Sequence, residues 1–454
     1  MKTLFLVRHG KSSWKDESLA DDQRPLNKRG RRQANALGPA LRDAGVFEGP
    51  VFASPAARAR ETARGLVYTA TEADTEQVQA QDELYTFDAG ALLSWLQARP
   101  AQSPLTIIGH NPALLELANR LLDTPLPALP TGAAVQITLP GQSWRQVGRQ
   151  TGECSALLLP EHLNYRLFRR KAPEAPEMEG KKLRQRIPAS LRHQAQLVEA
   201  LEPGVRQGYD PEFLHQFRVN LRRSRAIAEA IERVLKDGTL KKGIKGLKRE
   251  GQETSHLRDL DVFLETLSSW REIPERREAI DALDLERVFR RKQADEHHRL
   301  CQVLDGEQYA KDMKRWEKLV HGDTVAKLAS GIKRKRIRKT LDEQIARHDR
   351  LFGALTREAP DTDFHQVRKS LKRVRYLIEL DPARLAGNIS GLKARQDLFG
   401  RFQDRHVQMT LLDEIANMHL TRRQRRALNG LIDQVRTEKR EARNEILYLA
   451  PLAG

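Results

Sequence analysis

Cysteine is nearly absent from this chain. The two present among 454 residues, Cys154 and Cys301, are far apart and match neither a disulfide framework nor the clustered spacing of a zinc site. They read as apolar buried thiols, which suits a cytoplasmic location. Long apolar runs are missing too. None approaches the roughly 18 residues of a membrane span, and the opening MKTLFLV is too short for a secretory leader. No motif calls for a cofactor or a metal. An apolar share of 39% beside 31% charged residues excludes a disordered chain and leaves room for two or three domains.

Acidic residues fall short of basic ones, and unevenly. Of the formal net charge of +18, residues 1–160 carry +1 and the remainder +17. A polyanionic partner is therefore expected for the C-terminal two-thirds.

The two regions follow different patterns. Up to about Pro160, short runs rich in Val, Ile, Leu and Phe (TLFLVRHG, PVFASP, PLTIIGHNP, AAVQITLPG) alternate with helical stretches such as KRGRRQANALGPALRDAG and AARARETARGLVY. That alternation predicts an α/β domain, a mostly parallel sheet flanked by helices. Such sheets bind ligands at the carboxyl ends of their strands, where RHG, SPAAR and GHNP fall. The expected boundaries are 1–162 for this domain, 163–182 for a Pro- and charge-rich linker, and 183–454 for an all-helical region. Breaks in the last are expected near LEPGVRQGYDPE, KDGTLKKG, SSWREIPE and REAPDTD.

The helical region is duplicated, with repeats of about 183–330 and 331–450. HQFRVNLRRSR from His215 and HQVRKSLKRVR from His365 share an offset of 150, while the segment from Ile244 aligns with that from Ile389 at an offset of 145. Two tandem four-helix bundles related by a pseudo-twofold are the simplest architecture.

Arg8, His9, Ser54, Arg58, His110 and Asn111 all fall at strand ends of the first domain. Arginines match phosphate oxygens bidentately. A neutral imidazole can attack phosphorus and carry the phosphoryl group to water, while a second histidine stabilises charge on the other oxygens. RHGKS, DDQRPLNKRGRRQA, SPAARARETA and GHNP, in that order, resemble the histidine phosphatase superfamily, and closely its SixA-like phosphohistidine phosphatase branch. The resemblance implies His9 as the phosphorylated nucleophile and Arg8, Arg58 and His110 as the rest of the phosphate pocket. Ser12, Ser54 and Asn111 are helpers. QDELY supplies Asp82 and Glu83 as candidate general acids, with Glu83 preferred. Little sequence separates Arg64 from His110, so the site is expected to be open and suited to a protein or polymer substrate.

On a helix of 3.6 residues per turn, His215, Arg218, Arg222 and Arg225 form a stripe beside the apolar stripe of Leu214, Phe217, Leu221, Ser224 and Ala228. His365, Arg368, Lys372 and Arg375 repeat it beside Phe364, Val367, Leu371 and Val374. A solvated charged face more often lies opposite the core, so the rows are expected to line a groove. Asp259 and Asp404, equivalent in the two copies, would orient the arginines. HQFRVNLRRSR with LRDLDV, and HQVRKSLKRVR with QDRHV, resemble the CHAD (conserved histidine α-helical) domain. That resemblance implies two four-helix bundles around a basic channel that binds inorganic polyphosphate. Lys248, Lys393 and the IKRKRIRK run would extend the basic surface.

The expected function is thus a phosphatase working through a phosphohistidine intermediate, tethered to a polyphosphate-binding module. Phosphohistidine-bearing protein is one candidate substrate, and polyphosphate granules a candidate location. The alternatives are a granule-associated binding protein with a degenerate phosphatase domain, or a nucleic-acid binder. The last is disfavoured because the stripes hold few aromatics for base stacking and no reader motif.

Overall fold

The computed structural model describes residues 1–454 except 72–77, 149–150, 382–384, 386–390 and 454. Ile389, used above to align the repeats, lies outside the described residues. The chain divides into two compact units. One comprises residues 1–172 and 201–213, the other residues 173–200 and 214–454. Residues 163–172, read from the sequence as the start of a linker, therefore belong to the first unit, where Leu163, Leu167 and Phe168 are buried. Among the described residues no helix is long and apolar enough to cross a membrane.

The first unit is built on β1 (Lys2–Arg8), α1 (Lys28–Asp43), β2 (Val51–Ala53), α2 (Ala57–Thr71), β3 (Val78–Ala80) and α3 (Ala89–Gln97). Then come β4 (Leu105–Gly109), α4 (Ala113–Leu121), β5 (Ala134–Leu139), β6 (Glu153–Leu158), and the short α5 (Pro160–Leu163) and α6 (Tyr165–Phe168). The strands form one mixed sheet in the order β3-β2-β4-β1-β5-β6. The first four are parallel, and β5 and β6 run antiparallel at one side. Successive side chains of a strand point to opposite faces. Accordingly Leu4 and Leu6 of β1 join a core with α3 and α4, while Phe5 and Val7 join one with α1 and α2. Burial on both faces explains why β1 and β4 read as unbroken apolar runs. The three-residue strands β2 and β3 give a much weaker signal.

The second unit is helical. Its elements are α7 (Leu183–Gln207), α8 (Glu212–Leu235), α9 (Lys241–Glu253), α10 (Ser255–Trp270), α11 (Pro274–Leu283), α12 (Leu285–Asp305), α13 (Glu307–His321) and α14 (Asp323–Ser330). The second copy supplies α15 (Arg334–Gly353), α16 (Asp361–Leu380), α17 (Leu392–Ala416) and α18 (Arg422–Leu447). The last turns of α7 are counted with the first unit. The break expected from Leu201 comes later than its proline suggested: α7 runs past Pro203 and Gly204 to Gln207. A Cβ at Gly204 would collide with the Phe213 ring, so glycine there lets the ring pack on the helix.

Each predicted apolar stripe is buried, Leu214 through Ala228 on α8 and Phe364 through Val374 on α16. One apolar cluster belongs to the second copy, joining α15, α16, α17 and α18. Another is shared between copies, with Phe263 and Phe289 of the first beside Leu412 and Val435 of the second. The copies also differ in continuity. The first changes helix at Thr254, between α9 and α10, and at Asp284, which has φ of 48°. In the second copy α17 runs unbroken through the position equivalent to Thr254.

Candidate active site and basic cleft

The register of the parallel strands assembles the first site. Arg8 pairs with Gly109 and Ala53 with Ile108, so His9, Ser54 and His110 each leave their strand at the same edge of the sheet. The His9 and His110 rings come to 5.0 Å between centroids. The loop after β1 is held flush against helix starts. Gly10 N donates to Thr62 Oγ1 of α2 at 3.0 Å, and a Cβ at Gly10 would lie 2.6 Å from the Gly30 carbonyl oxygen. Gln33 ties the same loop to Thr131, accepting from Lys11 N at 2.9 Å and donating to the Thr131 carbonyl at 2.8 Å.

His9 Nδ1 is 2.7 Å from the Gly10 carbonyl oxygen. A carbonyl only accepts, so Nδ1 carries the proton and Nε2 keeps its lone pair. Arg58 Nε donates to that Nε2 at 3.3 Å. Ser54 Oγ accepts from Ala56 N at 3.3 Å and lies 2.8 Å from His110 Nε2. With the hydroxyl hydrogen given to Nε2, His110 holds its proton on Nδ1, which is buried and unpartnered. Arg8 Nε and Asn111 Oδ1 are likewise buried without partners, although Arg8 Nη1 and Asn111 Nδ2 both donate to the Leu129 carbonyl at 3.0 Å. Buried polar atoms are rarely left unsatisfied. Three together, two of them donors, fit a place where an anion belongs.

Burial lowers the His9 pKa to about 4, helped by the Arg58 and Arg8 charges and resisted by the Gly10 hydrogen bond and Asp21. Burial, then His9, Arg58 and Arg8, lowers His110 to about 3. Both imidazoles are neutral at physiological pH, the state a nucleophile requires.

Of the helpers, Ser54 and Asn111 reach the site. The Ser12 backbone carbonyl instead accepts from Asn27 Nδ2 at 3.1 Å, outside the group of His9, Arg58 and His110. Glu83 and Asp82 sit exposed on a single 3₁₀ turn, and the carboxylate in contact with the site is Asp21. Its Oδ2 accepts from Arg58 Nη2 at 2.7 Å and from the Tyr85 hydroxyl at 2.8 Å. Burial pushes the Asp21 carboxyl up, but the bonds from Tyr85 and Arg58 and the charges of Arg58 and Arg24 hold it below the ordinary carboxylate range. Tyr85 also lies edge-on to His110, with ring centroids 5.4 Å apart.

In the second unit α8 and α16 line a cavity of about 410 Å³, to which α17 adds Gln396 and Asp397. His215, Arg222, Arg368, Lys372 and Arg375 all face it. The other predicted residues go elsewhere. Arg218 Nη1 donates to Gly251 O at 2.9 Å, Thr254 Oγ1 at 2.6 Å and Ser255 Oγ at 3.3 Å. This arginine thus secures the break between α9 and α10. Arg225 lies 3.5 Å from Glu229. His365 lines a separate cavity of about 440 Å³ with Lys369, Gln403 and His406, and its Nδ1 meets Gln403 Oε1 at 3.0 Å. Lys248 and Lys393 are exposed and outside the cavity that Arg222 and Lys372 share.

Burial lowers Arg218 to about 10, and Asp259 is the charge that resists. Burial likewise lowers Arg368, resisted by Asp404. Lys372 is lowered to about 7, by burial first and then by Arg368, Arg222, Arg225 and Arg375.

Comparison with known proteins follows the same division. The profile of the histidine phosphatase superfamily (branch 1) matches residues 4–95, and that of the CHAD domain matches residues 189–413. An uncharacterized protein of Picosynechococcus sp. is 31% identical over 121 residues, 26% of this chain and 72% of that one. A structure described as phosphohistidine phosphatase SixA from Nakamurella multipartitia is 25% identical with a TM-score of 0.31, over 35% of this chain and 96% of that one. The CHAD domain from the plant Ricinus communis is 20% identical with a TM-score of 0.47, over 61% of this chain and 96% of that one.

Proposed function

We propose that this chain, which belongs to the histidine phosphatase superfamily (branch 1) in its first unit and carries a CHAD domain in its second, is a phosphatase tethered to a polyphosphate-binding module. The observation that carries the enzymatic half is the unprotonated Nε2 of His9, its tautomer fixed by the Gly10 carbonyl and its lone pair met by Arg58, beside a second neutral histidine. That lone pair attacks phosphorus and forms an N–P bond as the bond to the leaving group breaks. Arg8, Arg58 and the His110 Nδ1 proton meet the charge on the remaining oxygens. An arriving phosphate takes Arg58 from Asp21, whose side chain is 47% exposed. The carboxylate, released from the pair that holds it ionised, takes up a proton, gives it to the leaving group and later takes one from the water that cleaves the N–P bond. One group serving both half-reactions is ordinary acid–base economy.

For the second unit, a cavity lined by cations from two equivalent helices, with few aromatics, favours a flexible unbranched polyanion over nucleic acid. Tethering raises the local concentration of substrate without any new catalytic contact.

The test is turnover of an aryl phosphate by wild type and His9→Ala, with trapping of an acid-labile phosphoryl group on His9. Turnover and trapping by wild type alone support the reading. No turnover in either protein sinks it and leaves a binding protein with an inactive first domain. Competition between linear polyphosphate and duplex DNA at equal phosphate, in about 0.15 M salt, tests the second half. Phosphohistidine peptide, polyphosphate and small phosphate esters, compared by kcat/KM, then select the substrate.

A further inference from the structure

The basic rows end alike. Arg225 and Arg375, equivalent at the offset of 150, are each followed one helical turn later by a glutamate, Glu229 and Glu379. Arg225 Nε is 3.5 Å from Glu229 Oε1, and Arg375 Nε is 2.6 Å from Glu379 Oε1. Arg375 Nη1 also donates to Gln396 Oε1 on α17 at 3.0 Å. Among the described residues Arg222, Arg368 and Lys372, the interior members, form no ion pair within 4.0 Å. Glu379, Gln396 and Asp397 lie on the lining of the same cavity as the free cations. The cleft is therefore graded. Its interior cations form no ion pair, although Asp404 acts on Arg368, while Arg375 at its end is already held by a carboxylate, as Arg225 is outside its lining.

We infer that Glu379, with Glu229 as its counterpart, is an end stop. It holds the terminal arginine of the row and repels the next phosphate, so the cleft takes a short run or the end of a polyphosphate rather than threading a long chain. This rests on the polyanion reading of the cleft and adds a limit on length. The two carboxylates are not equally dedicated. Glu229 also acts on Arg233, whereas Glu379 holds Arg375 at 2.6 Å on the cavity lining itself. Glu379 is accordingly the stronger stop. Half-exposed pairs of this kind are weak, so a stop of this strength biases length without blocking entry.

The experiment measures binding of tripolyphosphate and of long linear polyphosphate to the full chain and to Glu379→Gln and Glu229→Gln, at several salt concentrations, with thermal melts in parallel. The expected result is a long-chain affinity about fivefold tighter in Glu379→Gln, with a salt slope steeper by about one phosphate contact. Tripolyphosphate is unchanged, and Glu229→Gln gives a smaller effect of the same sign. Long-chain affinity that is unchanged or weaker in a normally melting Glu379→Gln overturns the end stop and leaves the polyanion cleft standing. Should that variant melt early, Glu229→Gln decides by the same criterion. Wild type that binds neither polyphosphate overturns both.

Discussion

Asp21 grips Arg58 through Oδ2 and Nη2 at 2.7 Å, while Arg58 reaches the His9 lone pair with its Nε. One guanidinium thus serves a carboxylate at the pocket mouth and the nucleophile beneath it. An arriving phosphate competes with Asp21 for Arg58 and, on binding, leaves that carboxylate free to handle protons.

Replacing Asp21 with Asn keeps the size and removes the proton. With an aryl phosphate, whose leaving group needs no protonation, kcat is expected to fall by less than about threefold. With an alkyl phosphate it is expected to fall by roughly 100-fold. Equal losses on both substrates would reduce Asp21 to a positioning role.

The acid limb of the rate profile follows from the histidines. With His9 at about 4 and His110 at about 3, kcat/KM is expected to hold down to about pH 5, well below the ordinary histidine range near 6.5. Stability carries the same sign. Between about pH 4 and 6.5 the unfolded chain binds more protons at these positions than the folded one. Unfolding free energy therefore rises with pH across that window and levels off above it. A limb near pH 6.5 would show that His9 titrates normally.

Lys372, lowered to about 7 by burial and the surrounding Arg368, Arg222, Arg225 and Arg375, makes one row of the cleft titratable. A polyanion favours its charged form, so binding takes up a proton and weakens as pH rises from 6 to 8. His365 lines a separate cavity, and burial lowers its pKa. Lys372→Arg is expected to flatten the affinity–pH curve, measured by calorimetry in buffers of different ionisation heat. An unaltered curve would assign the proton elsewhere.

Arg218 and Arg222 separate stability from binding. Arg218→Ala strips Gly251, Thr254 and Ser255 of their shared donor and is expected to cost about 1–3 kcal/mol, read as a lower Tm with a nearly unchanged salt slope. Arg222→Ala, on an exposed residue facing the cavity, is expected to leave Tm alone and reduce the salt slope by about one. The reverse pattern would return Arg218 to the cleft.

The first site was legible where its residues follow directly from strands. His9, Ser54 and His110 each stand one position past a strand end, and the parallel register brings such positions together. Asp21 and Tyr85 were not legible as site residues. They ride on irregular segments that fold back over the pocket, and no period places them, although Asp21 opens the DDQRPLNKRGRRQA block. In the helical unit the apolar stripes were read in full, because helical angle fixes which face is buried. The same angles could not tell Arg222, which faces the cavity, from Arg218, which turns to Thr254. That choice depends on a break in another helix. Lys248 and Lys393 matched between copies, yet a matched position guarantees no shared cavity.

Thr254 interrupts the first copy at a place where the second runs through Phe399 without pause. Mechanically, a jointed strut stands opposite a continuous beam. Bending concentrates at the joint, and Arg218 is the brace across it. Two halves drawn from one pattern thus differ at this point, one with a joint that Arg218 spans and the other with none.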